Sequence, residues 1–135
     1  MAVVNTFTSA AQAIAKAGDG VNADLAAGSI TAGGEDVVEI WVAEGESDIN
    51  SRCGYDWTSN FAAASVSTKL IIQGANSDYA AMYCVDYDKS GYANGRLEAE
   101  GKINFLMDSY LRKLSLLKNK EKQDFIKNPS TGTIE

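Results

Sequence analysis

The clearest amphipathic pattern in this chain lies in its last third. From Arg96 to Leu117, the residues Leu97, Ile103, Leu106, Met107, Tyr110, Leu111, Leu114 and Leu117 recur mostly at helical spacings, which draws an apolar stripe down one side of a helix. At 1.5 Å per residue that helix is about 33 Å long. Arg112 and Lys113 fall off the stripe near its C-terminal end, where cations suit the helix dipole. A second run, Leu70, Ile71, Ala75, Tyr79, Met82 and Tyr83, carries the same period and predicts a helix from Asn60 or Val66 to about Asp86. Its small residues, Gly74, Ala75, Ala80 and Ala81, allow a neighbouring helix to come close. A third helix is predicted from Glu35-Asp36, two acids suited to the positive end of a dipole. Val37, Ile40, Trp41, Glu44 and Asp48 mark its turns, Ile49 and Cys53 lie on its apolar side, and Gly54 ends it. Gly45 within it costs about 1 kcal/mol against Ala, so the helix bends or crowds a neighbour there.

Residues 9–34 are rich in Ala and Gly. Thr8 or Ser9 is placed to cap a short helix through Ala17, with Ile14 as its main apolar residue and Gly18 as its stop. Val21 to Ala27 adds a helical turn or two, and Gly28 with Gly33-Gly34 marks a flexible connection. This segment has little large apolar content to bury, so it is expected to be a loose arm or to pack on a partner. Tyr55 to Asn60 reads as a turn-like link anchored by Tyr55 and Trp57. Strand signals are weak, confined to Val3-Val4 and Val37-Val38. The predicted fold class is all-α. A small bundle of three to four helices spans residues 35–117, with an Ala/Gly-rich N-terminal segment (1–34) and an extended basic C-terminal arm (118–135) in one domain.

Charge divides along the same boundary. Residues 1–95 hold 4 Lys+Arg and 12 Asp+Glu, net −8, whereas residues 96–135 hold 8 and 6, net +2. An acidic body with a cationic, partly apolar arm has the character of an assembly part. The arm carries Lys118, Lys120, Lys122 and Lys127 around the adjacent pair Phe125-Ile126. Two large apolar residues beyond the main stripe need cover, either by folding back or by filling a partner's pocket. Lys118, Lys120, Lys122, Phe125 and Ile126 are therefore the candidate partner-binding residues. A net charge of −6 argues against broad adhesion to nucleic acid. No run approaches the roughly 20 apolar residues of a membrane span. Met1 to Ala17 lacks the basic and apolar regions of a secretory leader.

Chemistry is sparsely signalled. The chain has no histidine, which removes the commonest general base and metal ligand. Neither Ser nor Cys then finds the imidazole partner that triad logic requires. Cys53 and Cys84 are expected to be buried small hydrophobes. Glu44, Glu46 and Asp48, and again Glu98 and Glu100, are expected to be surface acids. The glycine pairs match no phosphate-binding loop. One loop partly fits a calcium pattern. Asp86, Asp88, Ser90, Gly91 and Asn94 occupy positions one, three, five, six and nine of an EF-hand. Position twelve is Leu97, and Glu98 comes one place late, turned about 100° round the helix. A solvated interhelical turn accounts for the same residues. Asp86, Asp88 and Ser90 are the candidate metal ligands, and no cofactor is expected.

The order of these features resembles the head–tail adaptor (connector, or head completion) proteins of tailed bacteriophages. The resemblance rests on the helix at Glu39-Ile40-Trp41-Val42-Ala43-Glu44 and Ile49-Asn50, the aromatic turn Tyr55-Asp56-Trp57, and the Ala- and Tyr-rich helix from Leu70 to Tyr83. It continues through the polar loop Tyr87 to Gly91 and the closing helix with Glu98-Ala99-Glu100, Ile103 and Leu106. It covers about residues 35–128, and the N-terminal segment is longer than the family pattern. It implies a non-enzymatic virion protein. About a dozen copies would form a ring beneath the portal protein, extend the DNA channel and meet a tail or stopper protein. The C-terminal extension, here Lys118 to Ile126, would engage the portal. An acidic wall would let DNA slide without sticking. Apart from the resemblance, the residues leave open a calcium-binding helical module at Asp86 and a cellular interaction adaptor.

Overall fold

The computed structural model describes residues 5–88, 92 and 95–127, with 120–127 described as backbone only. The chain is mostly helical, as the patterning predicts, with six helices and two short strands among the described residues. In order these are α1 (Ala10–Ala17), α2 (Ala23–Ala26), β1 (Thr31–Ala32), β2 (Glu35–Asp36), α3 (Val37–Cys53), α4 (Trp57–Asn60), α5 (Val66–Tyr87) and α6 (Arg96–Lys127).

The N-terminal segment departs from expectation. Phe7, Ala10, Ala13, Ala17 and Leu25 are buried in the same core as residues of α3, α5 and α6. The described part of the segment is therefore not a loose arm but packs on the chain's own core. Alanine on its inner face lets α1 lie close on α5, so burial comes from backbone approach and not from large side chains. Ser9 occupies the N-cap position in extended conformation but makes no side-chain cap bond. Thr8 Oγ1 bonds Gln12 Oε1 instead. Asn22 caps α2, its Oδ1 accepting from the amides of Asp24 and Leu25 at 2.9 and 3.1 Å.

Gly33-Gly34 is a tight turn, not a flexible connection. Both glycines take positive φ, 61° and 86°, as a two-residue hairpin with matching twist requires. Thr31 pairs with Asp36 and Ala32 with Glu35 in an antiparallel ladder. Glu35 and Asp36 thus precede α3 instead of opening it. Asp36 becomes its N-cap, accepting from the Val38 amide at 3.0 Å. Gly54, at φ 64°, ends the helix in left-handed conformation.

The buried face of α3 is Val38, Val42, Gly45, Ile49 and Cys53, together with Glu46. This lies about one position round the helix from the expected stripe, because Trp41 turns to an aromatic surface cluster. Helix α5 packs against α1, α3 and α6 at once. Its buried residues, among them Ile72, Ala75, Asn76, Asp78, Ala81, Cys84 and Val85, surround most of its circumference. A helix covered on several sides has no single stripe to read. Leu70 and Tyr83, expected on the apolar face, are 61% and 41% exposed.

Helix α6 buries Ala99, Leu106, Tyr110, Leu114 and Leu117, but Leu97, Met107 and Leu111 from the expected stripe are exposed. It is one continuous helix of 32 residues, so its backbone passes the expected boundary at 117 without a break. Cys53 and Cys84 are both buried, as expected. No helix among the described residues is long and apolar enough to cross a membrane.

Candidate functional site

A groove of about 360 Å³ opens where α3, α5 and α6 meet. Helix α3 gives it Asp48 and Arg52, α5 gives Tyr79, Met82, Tyr83 and Asp86, and α6 gives Ile103, Met107 and Tyr110. Gly45 lets the wall close. A Cβ there would lie 2.6 Å from Asn76 Nδ2 and 2.8 Å from Tyr79 Cδ1, so α3 and α5 meet at a distance that only glycine allows. Asn76 Nδ2 then donates to the Val42 carbonyl at 2.9 Å. Of the two alternatives read from the sequence, Gly45 crowds its neighbour.

Rings line the groove and continue outside it. Tyr110 lies 5.6 Å from Tyr79, Tyr79 lies 5.2 Å from Tyr83, and Tyr83 stacks on Trp41 at 5.6 Å with 26° between planes. Tyr87 closes the series 6.3 Å from Trp41. Asp48 sits at the inner end. Its Oδ2 accepts from Arg52 Nε at 2.8 Å and from the Tyr110 hydroxyl. Both bonds fall on one oxygen, and Oδ1 accepts none among the described residues. Burial, then the bond to Asp48, holds the Tyr110 phenol well above its ordinary pKa. Burial also raises Tyr79, helped by the hydrogen bond and charge of Tyr83 and by the charges of Asp48 and Glu44. Both phenols therefore stay protonated as donors near neutral pH. Arg52 is held above its ordinary value by its hydrogen bond to Asp48 and by that carboxylate's charge. The groove thus offers aromatic and thioether walls, with a carboxylate oxygen open to a further donor.

Two buried acids tie the helices together. Asp78 on α5, with its side chain 3% exposed, accepts Lys16 Nζ of α1 at 2.6 Å and Lys113 Nζ of α6 at 2.8 Å. Ser109 Oγ donates to the same carboxylate at 2.8 Å. Glu46 is not the expected surface acid. It is 8% exposed, and its oxygens accept from the Thr6 amide at 2.9 Å and from Thr58 Oγ1 at 2.7 Å. Glu46 thereby clamps the N-terminal segment and α4 onto α3. Asp48 is likewise partly buried in the groove, whereas Glu44 is exposed as expected. Exposed Glu98 and half-buried Glu100 open α6, with Glu100 pairing with Arg96 at 2.7 Å. Burial, with the charge of Asp36, pushes the Cys84 thiol up to about 12, so it remains an unreactive thiol near neutral pH.

Asp86 is exposed at the end of α5 and lines the groove rim. Asp88 Oδ2 accepts from Asn22 Nδ2 at 3.1 Å. Ser90 lies outside the described residues, as do Gly91 and Asn94. Among the described residues no three acid or thiol side chains gather as metal ligands. Lys118 is exposed on α6. The side chains of Lys120, Lys122, Phe125 and Ile126 lie outside the described residues. Sequence reasoning missed Asp78, Asp48 and the aromatic series. The available signal for Asp78 was an acid set among Gly74, Ala75, Ala80 and Ala81. No protein-family model, curated protein or solved structure matches this chain.

Proposed function

We propose that this chain is a structural assembly subunit without catalysis: a head–tail adaptor of a tailed bacteriophage. About a dozen copies would form a ring beneath the portal in the virion neck, closed by a repeated contact between neighbours. The observation that carries this reading is apolar surface. Nine large apolar side chains stand exposed among the described residues, five of them on α6. Leu97 is 76% exposed and Phe105 68%. Met107 lines the groove, and Leu111 follows it one turn farther along α6. Phe105 and Leu116 are eleven residues, or about three turns, apart on the other flank of the buried stripe. Apolar side chains on both flanks favour a neighbour on each side, which is the need of a subunit in a ring.

On this reading α1, α3, α5 and α6 form the small bundle and residues after 117 form its arm. Lys118, Lys120, Lys122, Phe125 and Ile126 are the partner-binding residues, and the acidic body leaves passing DNA unbound. The test is co-expression with a portal protein of the same genome. The wild-type chain is expected to co-purify with the portal and, beyond it, with tail or stopper proteins. The double variant Phe125→Ser, Ile126→Ser is expected to keep its helical circular dichroism and lose attachment. Unchanged attachment of that variant removes the arm from the mechanism. A wild-type chain that never co-purifies with the portal overturns the adaptor reading.

A further inference from the structure

The groove between α3, α5 and α6 has the chemistry of a receptor for a cationic side chain with an apolar stem. Tyr79 and Tyr83 present ring surface beside the buried Tyr110, Met107 adds a polarisable wall, and the two carboxylates Asp48 and Asp86 outnumber the one cation, Arg52. Aromatic faces attract a cation through their quadrupole, and a lysine lays its methylenes along apolar walls while its ammonium seeks an acceptor. Asp48 Oδ1 provides one, since the bonds from Arg52 and Tyr110 both fall on Oδ2. A volume of about 360 Å³ lies at the small end of ligand sites, which run from roughly 300 to 1,000 Å³. It therefore suits one or two side chains better than a large cofactor.

The chain carries a segment of that chemistry. Lys118, Lys120, Lys122 and Lys127 flank Phe125-Ile126 in the sequence, and residues 96–135 are net +2 against net −8 for residues 1–95. This segment cannot enter its own groove. Helix α6 is unbroken from Arg96 to Lys127, and Lys118 lies eight residues, about 12 Å, farther along the helix than Tyr110. The packing register points the same way. Asp78 meets Lys113 and Ser109, and a Cβ on Gly74 would meet Lys113, so the two helices run antiparallel with Val66 opposite roughly residue 121. The last six residues or so of α6 pass beyond the start of α5, about 9 Å of helix.

We infer that the groove receives the lysines Lys118, Lys120 and Lys122 of a second copy, in a head-to-tail contact that repeats from subunit to subunit. This rests on the assembly reading above and assigns the near end of the arm to the neighbouring copy, leaving Phe125-Ile126 beyond it to meet the portal. A contact that joins two different surfaces closes into a ring when the rotation permits.

The test is zero-length carbodiimide cross-linking of the full chain, mixed in equal parts unlabelled and nitrogen-15 labelled. Cross-links joining Asp48 or Asp86 to Lys118, Lys120 or Lys122 are expected in mixed-isotope form, because the two residues come from different copies. They are expected to fade in 0.5 M salt, and Tyr83→Ser, at an exposed ring, is expected to weaken self-association roughly tenfold. Same-isotope cross-links only, or self-association without arm-to-groove links, overturn the inference. A chain that stays monomeric and uncross-linked at about 100 µM also overturns it. Co-purification with the portal is read separately, so a portal-bound chain without these links sinks this contact and leaves the adaptor reading standing.

Discussion

Gly45→Ala tests how closely α3 and α5 must approach. The new Cβ would stand 2.6 Å from Asn76 Nδ2 and 2.8 and 3.0 Å from two ring atoms of Tyr79. Overpacking of this kind costs about 1–3 kcal/mol. Asn76 has little room to yield, because its Nδ2 holds the Val42 carbonyl at 2.9 Å and its buried Oδ1 has no hydrogen-bond partner among the described residues. Breaking that bond adds about 1–3 kcal/mol. Against these stands the helix-propensity gain of Ala over Gly, about 1 kcal/mol. The net expectation is a loss of about 3 kcal/mol, or a fall in Tm of roughly 10 °C for a chain of this size. Gly101→Ala is the internal control. Gly101 is exposed within α6, and none of the described residues outside its own turn lies within 4 Å of its would-be Cβ. Only the propensity gain applies, so that variant is expected to be more stable by about 1 kcal/mol. Urea unfolding of both variants, followed by circular dichroism, gives the two signs in one experiment. A Gly45→Ala protein as stable as wild type, or two changes of the same sign, would refute the close-approach argument.

Three further outcomes follow from the buried polar groups. Asp78→Ala strips Lys16 and Lys113 of their shared carboxylate; the lysines are partly exposed and reach water, so a loss of about 2–4 kcal/mol is expected, and a urea midpoint within error of wild type would contradict it. Glu46→Ala leaves the Thr6 amide without its acceptor, and hydrogen exchange at Thr6 and through α1 is expected to rise well before that of α5; uniform protection would show that the clamp is unimportant. Alkaline pH is expected to destabilise the fold through Cys84 and Tyr92, whose folded pKa values are pushed up to about 12 chiefly by burial, from ordinary values of 9.0 and 10.0. Because the folded form keeps protons that the unfolded chain releases, this stability is complete below pH 9 and drains away as pH climbs towards 12. Each group then costs up to about 1.4 kcal/mol per pH unit. Urea midpoints at pH 8, 9.5 and 10.5 check it, and a flat profile would contradict it.

The sequence carried the helical class and most boundaries, because period and terminal chemistry are local. Gly54, Asp36 and Gly18 act at helix ends, where their backbone freedom or side-chain oxygen is used. It misjudged faces wherever a helix is covered on several sides. Helix α5 is buried around much of its girth, so Leu70 and Tyr83 looked interior by spacing and stand at the surface. The Ala-rich segment looked too small to belong to a core, yet Ala10, Ala13 and Ala17 are buried because small side chains let α1 come close. The groove and the Asp78 cluster were illegible for a different reason. Asp48 and Tyr110 are 62 residues apart and Lys16 and Asp78 also 62, and no local spacing reveals that such pairs meet.

The central claim is that contact with other subunits is this chain's work. Electron cryomicroscopy of the chain co-expressed with the portal of its own genome tests it most directly. The account expects a closed ring of this protein seated on the portal, with its groove occupied and the apolar flanks of α6 covered. A solitary, unattached protein whose α6 flanks remain open to water would contradict it.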